Sequence, residues 1–180
     1  MMKNLLSLVL FCLIIIGCDT NFLNSKSYKH IQTNDKSLEF TFPGSWFKNN
    51  EPNPFDLQCF SQFQRMNTSV FVYRKEDLAD DQSPLEILDF QINDLKSKRN
   101  NFKRSTSRVT KKLPNKKLTT VVYSGDKSGS TNNYSFTLIE FDKDESLIAI
   151  LLQISFPDEW RKNKDILMKI AESAILKVVE

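Results

Sequence analysis

The sequence is poor in the residue types that most enzymatic sites require. Its 180 residues include one histidine, three cysteines and four glycines. Because His30 is the only imidazole and precedes the predicted domain, no Ser-His-Asp or Cys-His arrangement can form from domain residues. Ligands for a zinc site are too few, and Gly44, Gly125 and Gly129 form no phosphate-binding motif. We therefore expect neither enzymatic activity nor a cofactor.

The amino terminus has the pattern of an export signal. Lys3 provides a positive charge, Leu5–Ile16 is apolar except for Ser7, and Gly17 is the small residue that a peptidase requires before its cleavage point. The apolar run spans roughly 20 Å as a helix, which is too short to cross a hydrocarbon layer of about 30 Å. The pattern predicts a cleaved signal peptide over residues 1–17.

The last residues of this segment, Ile15-Ile16-Gly17-Cys18, resemble the lipobox of bacterial lipoproteins. The resemblance implies that Cys18 receives a diacylglyceryl group and that its new amino terminus is acylated, which holds the protein on a membrane. It also implies a location in the cell envelope, and Asp19 resembles the residue that retains such proteins at the inner membrane. A soluble secreted protein with a chance cysteine at position 18 is the alternative.

Cysteine use indicates a domain without disulfides. Cys12 would be lost with the leader and Cys18 would be lipidated, so Cys59 remains alone. Cys59 alternates with Leu57 and Phe55 in a strand pattern. We therefore expect it to be a small buried apolar residue and not a nucleophile.

The remaining chain divides into a tether and one domain. Residues 18–37 are polar and lack periodicity, which predicts a flexible tether, and residues 38–180 are predicted to form a single globular domain. Leu38, Phe40 and Phe42 alternate with polar residues as in a half-buried strand. Leu147–Ile154 is almost wholly apolar, as in a central strand that is covered on both faces.

Two helices are predicted. Ser83, Pro84 and Glu86 form a capping pattern for a helix over Pro84–Lys98. The second helix begins near Pro157, with Asp158 and Glu159 at the positive end of its dipole. The predicted buried residues of the first stripe are Leu85, Ile87, Leu88, Phe90, Ile92, Leu95 and Phe102, and those of the second are Leu167, Ile170, Ala171, Ala174, Ile175 and Val178.

The order of elements predicts the α+β class, with a mostly antiparallel β-sheet sandwiched by helices. The segments Phe40-Thr-Phe-Pro-Gly-Ser-Trp46, Leu118–Ile154 and Phe156-Pro157 through Trp160, with the helix after Ser83, resemble the Mog1/PsbP-like fold and its bacterial lipoprotein branch. The resemblance covers about residues 37–179. It implies an α/β/α sandwich and a non-enzymatic role in binding or assembly.

A basic run from Lys96 to Lys117 contains ten cations and no acidic residue, whereas the preceding segment is acidic. It could bind anionic lipid, or it could be a solvated helix end and hairpin. The candidate interaction residues from this run are Lys103, Arg104, Arg108, Lys111 and Lys112. Trp46 and Phe47, after a turn, are further candidates, as is Trp160, although core packing is the favoured interpretation of each.

Acidic pairs occur at Asp80-Asp81 and at Asp142, Asp144 and Glu145. We interpret them as solvated turns, with a weak calcium site as the alternative. The overall prediction is a monomeric, lipid-anchored, non-catalytic envelope domain that binds or helps to assemble a membrane-associated protein. The alternative is a carrier of a small apolar ligand or lipid in a cavity between sheet and helix. Nucleic acid is not an expected partner because the aromatic residues form no stacking platform.

Overall fold

Alternating and apolar runs of the sequence form eleven strands within the part of the chain that the computed structural model describes, residues 27–79 and 82–177. The strands are β1 (Tyr28–Gln32), β2 (Leu38–Pro43), β3 (Phe47–Lys48), β4 (Leu57–Phe60), β5 (Met66–Arg74), β6 (Asn100–Arg104), β7 (Val109–Leu113), β8 (Lys116–Lys127), β9 (Ser130–Phe141), β10 (Asp144–Ser155) and β11 (Ile175–Leu176). Helix α1 (Pro84–Ser97) follows β5, and helix α2 (Pro157–Glu172) follows β10.

The strands form two antiparallel sheets. The large sheet has the order β3-β4-β5-β10-β9-β8, and the outer edge of β8 is shared by β6 and β7. The small sheet has the order β1-β2-β11. Leu151 of β10 is paired with Val70 of β5 on one side and with Thr137 of β9 on the other. The prediction that the apolar run of β10 is a central strand is therefore confirmed.

Each face of the large sheet carries its own apolar core, because side chains alternate along a strand. Ile148 and Ile150 of β10 lie in the core beneath α1, with Leu88 of that helix. Ala149 and Leu151 lie in the opposite core, with α2 and the small sheet. The predicted α+β fold with a mostly antiparallel sheet is confirmed.

The predicted start of α1 is also confirmed. The Glu86 backbone N–H donates to Ser83 Oγ at 3.3 Å, and the Ser83 backbone N–H donates to Glu86 Oε2 at 2.7 Å. The helix buries Ile87, Leu88, Ile92 and Leu95, as predicted, but Leu85 and Phe90 are exposed. Phe102 lies beyond the helix in β6, where its ring stacks on Tyr123 at 4.8 Å.

The predicted tether extends too far. Residues 28–37 belong to the folded structure, since β1 pairs with β2 in the register Tyr28 to Pro43 and Gln32 to Glu39. Backbone pairing holds this strand, and Ile31 is its one apolar residue that packs against the core. The predicted leader, Cys18 and the first part of the tether lie outside the described residues.

The predicted stripe of the last helix is too long. Helix α2 ends at Glu172, although Leu167, Ile170 and Ala171 are buried as expected. The Thr41 backbone N–H donates to Ser173 Oγ at 2.8 Å, and the chain then enters β11, which pairs with β2. Ile175 is therefore an exposed strand residue, and Val178 lies outside the described residues.

The connection between β8 and β9 is a two-residue hairpin turn. Strand β8 continues to Lys127, and only Ser128 and Gly129 form the connection to β9. Their φ angles are 51° and 80°, which is the left-handed pair that a two-residue hairpin requires. Glycine accommodates the second of these angles without strain.

Candidate interaction surface

Trp46 belongs to the core and not to an interaction surface. It is 2% exposed, and its ring centroid lies 5.5 Å from that of Phe42. The next residue, Phe47, lies on the opposite side of the short edge strand β3 and is exposed. Trp160 is half-buried against the same core as Trp46. Trp46 is thus excluded as a contact residue, as the favoured interpretation of the sequence had it. The same interpretation is wrong for Phe47, which is 41% exposed and remains a candidate contact residue.

The basic run of the sequence forms the outer edge of the large sheet. Lys103 and Arg104 lie on β6, and Lys111 and Lys112 lie on β7. Both strands pair with β8 and leave their other side open. Lysine on an exposed edge strand hinders pairing with a second chain. The position of these lysines at the sheet edge therefore accounts for the basic run without a bound ligand.

Much of the basic charge is compensated within the fold. Five cations of the run form ion pairs: Lys98 with Asp94, Arg108 with Asp89, Lys111 with Glu172, Lys112 with Asp142, and Lys117 with Glu140. Two of the acidic partners, Asp89 and Asp94, come from the acidic segment that precedes the run. The fold therefore brings acidic side chains of that segment next to the basic run. The Arg104 guanidinium lies 6.0 Å from the centroid of the Tyr123 ring.

Lys116 is the buried member of the run. It is 7% exposed, and its ammonium group donates to the backbone carbonyl of Ala174. Burial lowers the pKa of Lys116 from its usual value, and the charge of Glu172 opposes that effect. This lysine ties β8 to the chain just after α2, which is a structural role.

Among the described residues, those with nucleophilic or ligating chemistry do not converge on one place. Cys59 is fully buried, and desolvation raises the pKa of its thiol to about 12. His30, on β1, contacts the side chains of Thr41 and Glu39 at 3.3 Å and 3.5 Å and is exposed. The predicted burial of Cys59 is confirmed.

The acidic turns have ordinary structural contacts. Asp142 pairs with Lys112, and Asp144 accepts hydrogen bonds from the backbone N–H and the hydroxyl of Ser146. Within residues 27–79 and 82–177, no group of three or more histidine, cysteine, aspartate or glutamate side chains could hold a metal ion. Asp80 and Asp81 lie outside the described residues.

Sequence reasoning missed an exposed group of aromatic residues at one end of the molecule. Its members are Tyr28 at 68% exposure, Phe47 at 41%, Phe63 at 78% and Phe156 at 37%. We call these four residues the aromatic end. They are spread over four segments of the chain, so no periodicity could have indicated that the fold brings them to one end.

Pairing in the sheets places these four residues. Tyr28 is opposite Pro43, where β2 ends, and the turn after Pro43 leads to Phe47, which is paired with Phe60. The Phe47 and Phe60 ring centroids are 5.7 Å apart.

A short turn after Phe60 carries Phe63 and leads to Met66, which is opposite Ser155. Phe156 therefore comes next to this turn. The Arg65 guanidinium lies 5.7 Å from the Phe156 ring and 3.2 Å from Glu159. The turn and the beginning of α2 are thus joined at this end.

A groove lies at the opposite end, between the β7–β8 hairpin and β11. Its volume is about 520 Å³, and it is half open to solvent. Leu113, Phe141 and Leu176 contribute apolar surface, while Lys143 and Glu172 contribute charge. The groove lies at the surface, so it differs from the enclosed cavity between sheet and helix that a lipid carrier would need.

No described helix is both long and apolar enough to cross a membrane. No family model matches the sequence, and no curated protein matches it either.

Comparison with solved structures shows the fold. The solution structure of cyanobacterial PsbP (CyanoP) from Synechocystis sp. PCC 6803 is similar with a TM-score of 0.62 and 12% identity, over 89% of this chain and 96% of that one. The crystal structure of LpqN, involved in cell envelope biogenesis of Mycobacterium tuberculosis, is similar with a TM-score of 0.57 and 14% identity, over 84% of this chain and 91% of that one. The chain therefore has a PsbP-like fold.

Proposed function

We propose that this protein is a non-catalytic domain of the cell envelope, anchored by lipid at Cys18, that binds a membrane-associated protein and helps it to assemble. The observation that carries the binding role is the groove beside β11. Its lining combines apolar side chains with charged ones, as protein-binding surfaces do. The lipobox at Ile15–Cys18 supports the anchor.

Two further observations support a role in binding. Among the described residues, the thiol of Cys59 is buried, and His30 is exposed beside Glu39 and Thr41. The PsbP-like fold is shared with LpqN, a protein involved in cell envelope biogenesis. Fold alone does not determine function, so the groove and the anchor each require a direct test.

The anchor is tested by mass spectrometry of the mature amino terminus, together with membrane fractionation. We expect a diacylglyceryl-modified and acylated Cys18 in the membrane fraction, and a Cys18→Ser variant that leaves that fraction. An unmodified Cys18 in a soluble protein would contradict the anchor.

The groove is tested by site-specific photocrosslinking in cells. A photoreactive phenylalanine analogue at Ile175, which is exposed in β11 beside the groove, should yield one discrete adduct with a membrane-associated protein. The same analogue at Leu85, which is similarly exposed on α1, is the matched control. Equal or absent adducts at the two positions would contradict binding at the groove.

A lipid carrier is the alternative proposal. Organic extraction of the purified domain, followed by mass spectrometry, separates the two functions. A carrier would release a lipid in an amount equal to that of the protein, whereas a binding domain would release none.

A further inference from the structure

The exposed aromatic residues of the described chain are unevenly distributed. Four of the five, the members of the aromatic end, lie where β2 and β10 end and where β5 begins, whereas Phe90 lies alone on the outer face of α1. Exposed apolar groups that gather in one region mark a surface that contacts another protein, a ligand or a membrane.

The backbone at Phe63 is held in an unfavourable conformation. Its φ and ψ angles are 64° and 10°, in the left-handed region that bulky residues avoid. A phenylalanine at this position is disfavoured relative to glycine, which adopts these angles without strain. Because the side chain is 78% exposed, core packing does not explain its presence.

The described chain begins at the same end. The Gly44 backbone N–H donates to the Ser27 carbonyl at 2.8 Å, directly before Tyr28 and close in sequence to Phe47. A Cβ atom on Gly44 would lie 2.2 Å from Ser27 Oγ, so glycine allows this close approach. The segment that leads back to Cys18 therefore leaves the domain beside the aromatic end.

The length of that segment limits where the domain can be. Eight residues lie between Cys18 and Ser27, so the two Cα atoms are at most about 30 Å apart even when the segment is fully extended. A lipid on Cys18 would keep Ser27 within that distance of the bilayer. The aromatic end would then be the part of the domain that is held at the membrane.

We propose that the aromatic end lies in the interfacial layer of the membrane, with the rings of Phe63, Phe47, Phe156 and Tyr28 among the lipid headgroups. This inference rests on the proposed lipid anchor. Aromatic side chains are favoured at the boundary between hydrocarbon and water, and an apolar surface of a peripheral protein enters that boundary to a depth of about 5–10 Å.

The short connection to Cys18 favours a bilayer over a peptide as the partner of the aromatic end. Ser27 is hydrogen-bonded to Gly44 directly before Tyr28, so a lipid on Cys18 would hold this end near the membrane surface. The Arg65 guanidinium beside the Phe156 ring is paired with Glu159 at 3.2 Å, so it adds no free cation at this end.

The test uses the mature chain, residues 18–180, coupled through the Cys18 thiol to a maleimide lipid in vesicles of phosphatidylethanolamine and phosphatidylglycerol. Cys59 should not react, because it is buried and its pKa is about 12. Tryptophan is introduced by Phe63→Trp or, as the matched control, by Phe90→Trp. Brominated acyl chains then quench the fluorescence of tryptophans at the membrane, and the signal of Trp46 and Trp160 is subtracted with the parent protein.

We expect quenching of the Phe63→Trp signal to exceed that of Phe90→Trp by about twofold or more, since quenching requires insertion of the ring. Equal quenching at the two positions would overturn the proposal. So would unquenched Phe63→Trp together with a discrete protein adduct from a photoreactive phenylalanine analogue at position 63, because that result assigns the aromatic end to a protein partner. Chemical coupling supplies the tether here, so a failure of natural lipidation at Cys18 is detected separately by mass spectrometry.

Discussion

Phe63 allows the strain in the backbone to be separated from the role of the side chain. Glycine adopts the φ angle of 64° without penalty, so Phe63→Gly should raise the free energy of unfolding by about 1 kcal/mol. The same variant should lose membrane contact through the aromatic end. Urea unfolding measures the first effect and vesicle binding of the coupled protein measures the second.

Phe90→Gly is the matched control for this prediction. Phe90 is also exposed but lies within α1, where glycine weakens a helix. Its unfolding free energy should therefore fall and its vesicle binding should not change. If Phe63→Gly were destabilising as well, strain at Phe63 would not be the reason for its conformation.

Trp46 and Phe47 should differ strongly on truncation, although they are adjacent. Trp46→Ala removes a buried ring and should lower the unfolding free energy by about 3–5 kcal/mol. Phe47→Ala should cost well under half as much, because its ring is partly exposed already. Thermal or urea unfolding of both variants provides the comparison, and similar losses would contradict the position of Trp46 in the core.

Single residues were predictable where a local pattern determined their environment. Cys59 alternates with Leu57 within one strand, and its burial followed from that alternation. Phe63 gave no comparable signal, because neither glycine nor asparagine marks its left-handed backbone. The aromatic end depends on the spatial proximity of distant segments, which no local pattern contains.

Among the elements, the amino-terminal cap of α1 gives a prediction with a pH dependence. Ser83→Ala removes the hydroxyl that accepts from the Glu86 N–H and should destabilise the protein by about 1 kcal/mol. Hydrogen bonds from the Ser83 backbone N–H and hydroxyl hold the pKa of Glu86 below its usual value of 4.5.

The lowered pKa of Glu86 determines the direction of the pH effect. Its stabilisation should be present above about pH 4.5, the usual pKa, and lost as the pH falls through the lowered pKa. Denaturation of wild type and Glu86→Ala across the acidic range measures this. If the difference in unfolding free energy between wild type and Glu86→Ala did not change with pH, the ionised carboxylate of Glu86 would not be the stabilising group.

Strand β7 gives a prediction about self-association. Its outer side is unpaired, and Lys111 and Lys112 lie on it in ion pairs with Glu172 and Asp142. The double variant Lys111→Thr, Lys112→Val should associate through this edge, because lysine no longer hinders pairing. Light scattering should detect oligomers, whereas the helix variant Lys96→Thr should remain as wild type.

Elements were predictable where their signals were local. The capping pattern at Ser83 placed the beginning of α1 correctly, since both partners lie within one turn. The predicted end of α2 was wrong because Ile175 continues the helical spacing of apolar residues. The helix ends before Ser173, whose Oγ accepts a hydrogen bond from the backbone N–H of Thr41, a residue distant in sequence. Strand β1 was not predicted, because apolar and polar side chains alternate only weakly along it. Its pairing with β2 is made by backbone groups, which leave no pattern in the sequence.

At the scale of the whole molecule, the length of the tether should determine how strongly the domain contacts the membrane. Inserting about 20 glycine and serine residues before Ser25 lowers the effective concentration of the domain at the bilayer. We therefore expect weaker quenching of Phe63→Trp in the coupled vesicle experiment, while the unfolding free energy does not change. Unchanged quenching would mean that the aromatic end binds lipid without help from the short tether.

The pairing of β11 with β2 also determines when the chain can fold. Leu38, Phe40 and Phe42 of β2 are covered by α2 and lie in a sheet that β11 completes. Contacts this distant in sequence form late, because a long loop must close first. During synthesis, β2 therefore lacks the cover of α2 and the pairing with β11 until residues 157–176 have left the ribosome. A leader at the amino terminus would act on a chain that is still unfolded, which is the state that can be threaded through a membrane pore.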